Sequence, residues 1–285
     1  MLTAFLVACK SKEPPKPPAQ TDLVVVKPGT APLRAIRYAV AKGTHTTVEL
    51  ATDWRVTAGE IGSVMPTIMT TFDVACEDVT PDGSMKLRAK VLDATAHERA
   101  DSAVAPAAIA TVLEPLKGTT FTITLSPDGH VSAPTFETAP DGSGSSGSAS
   151  AALTEQLQAL GASFQQLAMP LPTAPIGVGA EWKTTRNIQQ NGMALTSVTT
   201  LDVTSLDAAT VGFTLASEIH GGDQTVTQAG MAVELKDVGG SATGKGTIDL
   251  AKGTTTGELH FDLRSQMTAA GSSTAMRAQT DIVIH

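Results

Sequence analysis

At 285 residues the chain can bury a substantial core, either as one large domain or as two coupled halves. Only 17% of its residues are charged, 4% are aromatic, and the net charge is -8, so the clustered Lys and Arg needed by a nucleic-acid partner are missing. Thr, Ser, Gly, Ala and Val dominate the remainder, a composition suited to half-buried strands joined by turns.

The first nine residues read MLTAFLVAC. Leu2 to Ala8 is uncharged and mostly apolar, Ala8 is small, and Leu6-Val7-Ala8-Cys9 has the form of a lipobox. This resembles the signal of bacterial lipoproteins. The resemblance implies a leader over 1–8, cleavage between Ala8 and Cys9, and diacylglycerol and palmitate on the Cys9 thiol. Two features depart from the pattern: no Lys or Arg precedes the apolar run, and the run is at the short end of the roughly 7–15 residues expected. A true start upstream of Met1 would explain both. The span 9–31 is expected to be the acylated Cys and a tether, because Lys10 to Ala19, KSKEPPKPPA, is Pro-rich and extended. Lys10, Lys12 and Lys16 would favour anionic head groups. Lys10, where an Asp would mark retention in the inner membrane of well-studied diderm bacteria, favours the outer membrane. No later segment approaches 18 continuous apolar residues, so lipid alone would form the anchor. Cys76 is the one other cysteine, which leaves the mature chain no internal disulfide, and its strand-like setting reads as a small buried hydrophobe.

From 32 to 140 the pattern is that of a first β meander. Ile36, Tyr38 and Val40 alternate, as do Val48, Leu50, Thr52, Trp54 and Val56, then Met85, Leu87, Ala89 and Val91. Pro106 to Leu116 carries Ile109, Val112, Leu113 and Leu116 at helical spacing, with Gly118 just beyond. Phe121, Ile123 and Leu125 then lead into Ser126-Pro127-Asp128-Gly129, a hairpin turn. A Gly/Ser linker occupies 141–149. A second helix is predicted over 150–169, capped by Ser150, with Leu153, Leu157, Leu160, Phe164 and Leu167 as its apolar stripe. The span 170–285 reads as a second β meander, with Leu201 and Val203, then Val211, Phe213, Leu215 and Ile219, and later Leu259, Phe261 and Leu263. Phe72-Asp73-Val74 and Leu201-Asp202-Val203 each open a strand-turn-strand unit, which suggests two duplicated meanders. The predicted fold class is mainly β with two helices: a large curved antiparallel sheet or half-barrel, one unit over 32–285, with the helices on one face.

Candidate chemistry is sparse. The six histidines, His45, His97, His130, His220, His260 and His285, lack zinc-ligand spacing. Gly239 to Thr247, GGSATGKGT, mimics a phosphate loop, but Gly246 stands where Ser or Thr should ligate magnesium, and a strand follows. Ile176 to Trp182, IGVGAEW, has two glycines of a dinucleotide fingerprint and again no helix. No G-x-S-x-G occurs, and Glu77 and Asp78 would point to opposite faces of a strand. Trp54 and Trp182 read as core. An outer-membrane barrel would need aromatic girdles, which seven Phe, two Trp and one Tyr cannot supply. No catalytic residue, metal or cofactor is assigned.

Three segments carry a further resemblance: PLKGTTFTITLSPDGHV from Pro115, IGVGAEWKTT from Ile176 and GTIDLAKGTTTGEL from Gly246. Together they resemble an uncharacterised family of bacterial envelope lipoproteins with an SPDG hairpin, a VGxxW strand start and a G-x-x-x-L-x-x-G hairpin. The likeness spans Leu33 to Ile284 and implies architecture and address, not functional residues. At the level of fold alone the plan is similar to the LolA/LolB-type lipoprotein carriers. The expected function is that of a non-enzymatic, membrane-anchored envelope lipoprotein holding a lipid or other hydrophobic ligand in an apolar groove formed by Leu153, Leu157, Leu160, Phe164 and Leu167 against the sheet. The alternatives are a structural or interaction component with an envelope protein partner and no pocket, and a hydrolase whose site assembles only in three dimensions.

Overall fold

Alternating apolar residues become strands along most of the chain. The computed structural model describes residues 22–137, 168–190, 193–228, 231–269 and 272–285. Its strands in the first half are β1 (Asp22–Lys27), β2 (Thr30–Arg34), β3 (His45–Ala58), β4 (Ile61–Val64), β5 (Thr67–Val79), β6 (Met85–His97), β7 (Thr120–Leu125) and β8 (Thr135–Glu137). Those in the second are β9 (Ile176–Val178), β10 (Glu181–Gln190), β11 (Met193–Leu206), β12 (Thr210–Gln228), β13 (Met231–Asp249), β14 (Thr254–Ala269) and β15 (Ser272–Ile284). The helix α1 (Pro106–Leu113) has Pro106 in its first turn, where a missing N–H costs nothing, and continues as a 3-10 turn over Glu114–Leu116. Leu113 and Leu116 bury its apolar side.

Thirteen strands form one antiparallel sheet in the order β1-β10-β11-β12-β13-β14-β15-β3-β5-β6-β7-β8, with β4 beside β3; β2 and β9 make a separate ribbon. The fold is therefore mainly β, as expected, with a large antiparallel sheet that does not close into a barrel. Its second meander runs without interruption from β10 to β15. The pairing of β15 with β3, Ile284 opposite Leu50 and Thr280 opposite Trp54, then joins it to the first. The two units that looked alike are the hairpins β5–β6 and β11–β12, with Phe72 opposite Val91 and Leu201 opposite Leu215, all on the inner face. They belong to one sheet, with β13, β14, β15 and β3 between them.

Several expectations are corrected. The span 9–31 is not tether throughout: Leu23-Val24-Val25-Val26 is a β-branched run, and it forms β1, which crosses to the far edge of the second meander and pairs with β10. Ile36, Tyr38 and Val40 are buried as alternation predicts, but this segment is not a strand. Its backbone bonds go instead to the carbonyls of Pro127 and Leu250, outside any ladder. Trp182 is fully buried, whereas Trp54, on the same face as Leu50 but beyond the main core, is 41% exposed. Of the helix predicted over 150–169, only Ala168 and Met169 belong to the described residues, and neither is helical. The Gly/Ser linker of 141–149 lies outside the described residues.

The mimic of a phosphate loop, GGSATGKGT, lies inside β13 and has a mechanical role. A Cβ placed on Gly240 or Gly246 would stand 2.2 Å from the carbonyl oxygens of Asp262 and Thr256 in β14. The backbones of β13 and β14 leave no room for a side chain on the side where these glycines stand.

Candidate functional site

The concave face is the natural place to look for a ligand, and two segments that are not strands cross it. The turn Ser126-Pro127-Asp128-Gly129 clamps both. The Pro127 carbonyl accepts the Tyr38 N–H at 2.9 Å, and the Asp128 carbonyl accepts the Leu171 N–H at 2.8 Å. Gly129 has φ +87°, and a Cβ there would lie 2.2 Å from the Met169 carbonyl oxygen. The Tyr38 hydroxyl closes the knot by donating to the Met169 carbonyl and accepting from the Met169 N–H, both at 3.2 Å. Burial pushes this phenol well above its ordinary pKa, so it is a fixed neutral donor. The Trp182 indole N–H reaches the Pro170 carbonyl at 3.1 Å. The Leu250 carbonyl receives the Ala39 N–H at 2.8 Å.

The SPDG turn, the VGxxW strand start and the GTIDLAKG hairpin thus converge on one junction. Their polar groups are spent on holding the segments 36–40 and 168–172 against the sheet. Gly177 shows the same economy of space: a Cβ there would stand 1.8 Å from the Thr30 carbonyl oxygen.

Beside the junction lies an apolar cavity of about 30 Å³, lined in part by Val48, Leu87, Ile123, Leu125, Ala168 and Gly253. That volume accommodates one or two waters. An acyl chain does not fit there. Further along the concave face comes a polar band. Ser197 and Ser217 are buried with their hydroxyls 2.7 Å apart, Thr199 donates to Ser217 at 3.0 Å, and Arg186 stands directly opposite Ser197. The Arg186 guanidinium contacts the Ala168 carbonyl at 3.5 Å, and burial lowers its pKa. Beyond the band a second apolar cluster, including Leu195, Ile219, Val226, Val233 and Leu235, lies on the long hairpins.

On the outer face the charges form ion pairs. Arg264 and Arg277 flank the nearly buried Asp262 at 3.0 and 2.5 Å and hold its carboxyl well below the usual carboxylate range. His260 bonds to Asp281 across the β14–β15 pair, and Asp53, opposite Asp281, accepts from Thr67 and lies 3.6 Å from Arg99. The sequence pattern missed the His260–Asp281 pair, because only the strand register makes the two neighbours. Among the described residues, no group of three His, Cys, Asp or Glu side chains is placed to hold a metal. Cys76 is 2% exposed, and burial raises its thiol pKa, which makes it inert.

The site residues expected from sequence, Ala8, Cys9, Leu153, Leu157, Leu160, Phe164 and Leu167, all lie outside the described residues. What sequence reasoning did not single out is the sheet edge. Strand β1 ends the sheet and pairs only with β10 among the described strands. Its outward side chains Val24 and Val26 are 62% and 46% exposed, and Leu33 and Val178 are exposed on the neighbouring ribbon.

No curated protein matches the chain. Residues 149–255, less than half of it, match a family of unknown function, DUF6263; the match includes the VGxxW strand start and runs through β13 to the turn that follows it.

Proposed function

We propose that this chain is a non-enzymatic, lipid-anchored protein of the bacterial cell envelope whose open sheet is an interaction scaffold rather than a container. The lipobox Leu6-Val7-Ala8-Cys9 and the Pro-rich segment after it support the address. The observation that carries the scaffold reading is the pairing of a filled inner face at the junction, with its cavity of about 30 Å³, with an apolar edge strand that has one ladder partner among the described residues and exposed valines. By resemblance to the sorting rule of diderm bacteria, Lys10 favours the outer membrane. A second reading, a hydrophobic ligand held on the concave face, is favoured by the separate apolar cluster around Leu195, Ile219 and Leu235. Repeated native mass spectra free of bound lipid would remove it.

The anchor is tested by growing a bacterium that expresses the full chain in alkyne-tagged palmitate. The wild type should carry the label and sediment with membranes, and Cys9→Ser should lose both. An unlabelled wild type, soluble with its leader uncut, overturns the proposal.

A further inference from the structure

We propose that β1 is a self-association edge, where two copies of this chain pair antiparallel and continue one sheet into the other. The inference rests on the scaffold reading and names its partner. Strand β1 reads DLVVVK: no proline, no charge within the apolar run, and a single ladder, to β10. Edges of soluble sheets are ordinarily blunted by an inward charge, a proline or a covering loop. Here the protection is limited to the bulge between Val25 and Lys27, the short length of the strand and its terminal charges, and Val24 still projects with 62% exposure.

The strand is complementary to itself. A twofold axis normal to the sheet keeps inner side chains on the inner face of both copies. If the axis passes at Val24, Val24 of one copy opposes Val24 of the other, and Leu23 opposes Val25, which extends the core face across the junction. Asp22 of each strand then meets the Val26–Lys27 end of the other, where the Lys27 ammonium, already bonded to Glu181 of its own chain, lies near a second acid. A strand carrying two acids or two bases would repel its own copy in this register. The anchor adds an independent term. Acylation at Cys9, as proposed above, would confine copies of the chain to one surface and so raise their effective concentration.

The test is sedimentation velocity on the full lipidated chain in detergent, over a concentration series. The wild type should form a dimer, Val24→Lys should raise the dimer dissociation constant at least about tenfold, and Asp22→Lys should weaken pairing at low salt but much less at high salt. Far-UV circular dichroism, and the urea midpoint measured at a concentration where both proteins are monomeric, should be the same for Val24→Lys and the wild type, since Val24 is largely outside the core. A wild type that is monomeric throughout, or a dimer indifferent to Val24→Lys, overturns the self-association. A photo-crosslinker at position 24 in cells separates the two failures. Crosslinks to a different envelope protein refute self-pairing and leave the scaffold standing; no crosslink to any protein removes both.

Discussion

The clamp at the Ser126–Gly129 turn makes a quantitative prediction, because the chain contains its own control. Gly43 and Gly129 have nearly the same backbone conformation, φ +85° and φ +87°, but a Cβ on Gly43 would meet nothing within 4 Å. Gly43→Ala therefore reports the left-handed conformation alone. That costs about 1–2 kcal/mol, offset by about 0.4–1 kcal/mol from the stiffer unfolded chain. Gly129→Ala bears the same cost and adds a Cβ 2.2 Å from the Met169 carbonyl oxygen, where ordinary contact begins at 3.4 Å. Met169 must retreat by about 1 Å. That retreat pulls on the Leu171–Asp128 and Tyr38–Met169 hydrogen bonds, and each buried group left unpaired costs about 1–3 kcal/mol. Gly129→Ala should thus destabilise by about 3 kcal/mol or more, against about 1 kcal/mol for Gly43→Ala. Urea unfolding followed by tryptophan fluorescence measures both, with the buried Trp182 beside the clamp as the main reporter. Agreement of the two variants within about 0.5 kcal/mol would refute the clamp.

Two further outcomes follow from single groups. Tyr38→Phe keeps the ring in place but strips the hydroxyl that serves both polar atoms of Met169, so a loss of about 1–3 kcal/mol is expected in the same assay, and a neutral effect would show that Met169 finds other partners. Arg277 and Arg264 depress the Asp262 carboxyl below its unfolded value of about 4. The stabilisation from this group is therefore complete above that pH and declines as pH falls toward the folded value. Asp262→Asn should flatten the fall in stability measured below about pH 4, and an unchanged acid limb would show that other carboxylates set it.

The sheet was legible because burial follows alternation: Met85, Leu87, Ala89 and Val91 are all inside, as their spacing required. Turn chemistry was equally readable. Thr80-Pro81-Asp82-Gly83 and Ser126-Pro127-Asp128-Gly129 close with the same pair of backbone bonds, from the glycine N–H to the first carbonyl and from the first N–H to the residue after the glycine. What alternation cannot report is a ladder partner. Ile36, Tyr38 and Val40 have the period of a strand, yet the N–H groups of Tyr38 and Ala39 go to a turn and a hairpin far away in sequence. Strand order was hidden for the same reason. Nothing local to Leu23–Val26 says that it pairs with Lys183 and Trp182 rather than with its chain neighbours. Trp54 shows the limit from the side of packing: its face is the inner one, but the core ends before reaching it.

The motifs that first drew attention prove to be the least informative about activity. Gly177, Gly129 and Gly246 are glycines because backbone or aromatic atoms occupy the space of a side chain, and Trp182, Tyr38 and Asp128 spend their polar atoms on closing the junction. A group committed to such a bond cannot also meet a ligand without breaking the fold that positions it. Recognition must therefore use surface that the junction leaves free. Among the described residues that surface includes an outer face of paired charges and the exposed valines of the β1 edge. Apart from those of Asp262 the ion pairs are largely exposed, worth at most about 1 kcal/mol each, and as mutually satisfied charges they offer a partner little that water does not. The edge is different: its outward N–H and C=O groups are held in strand geometry, so a second strand can bind without ordering them first.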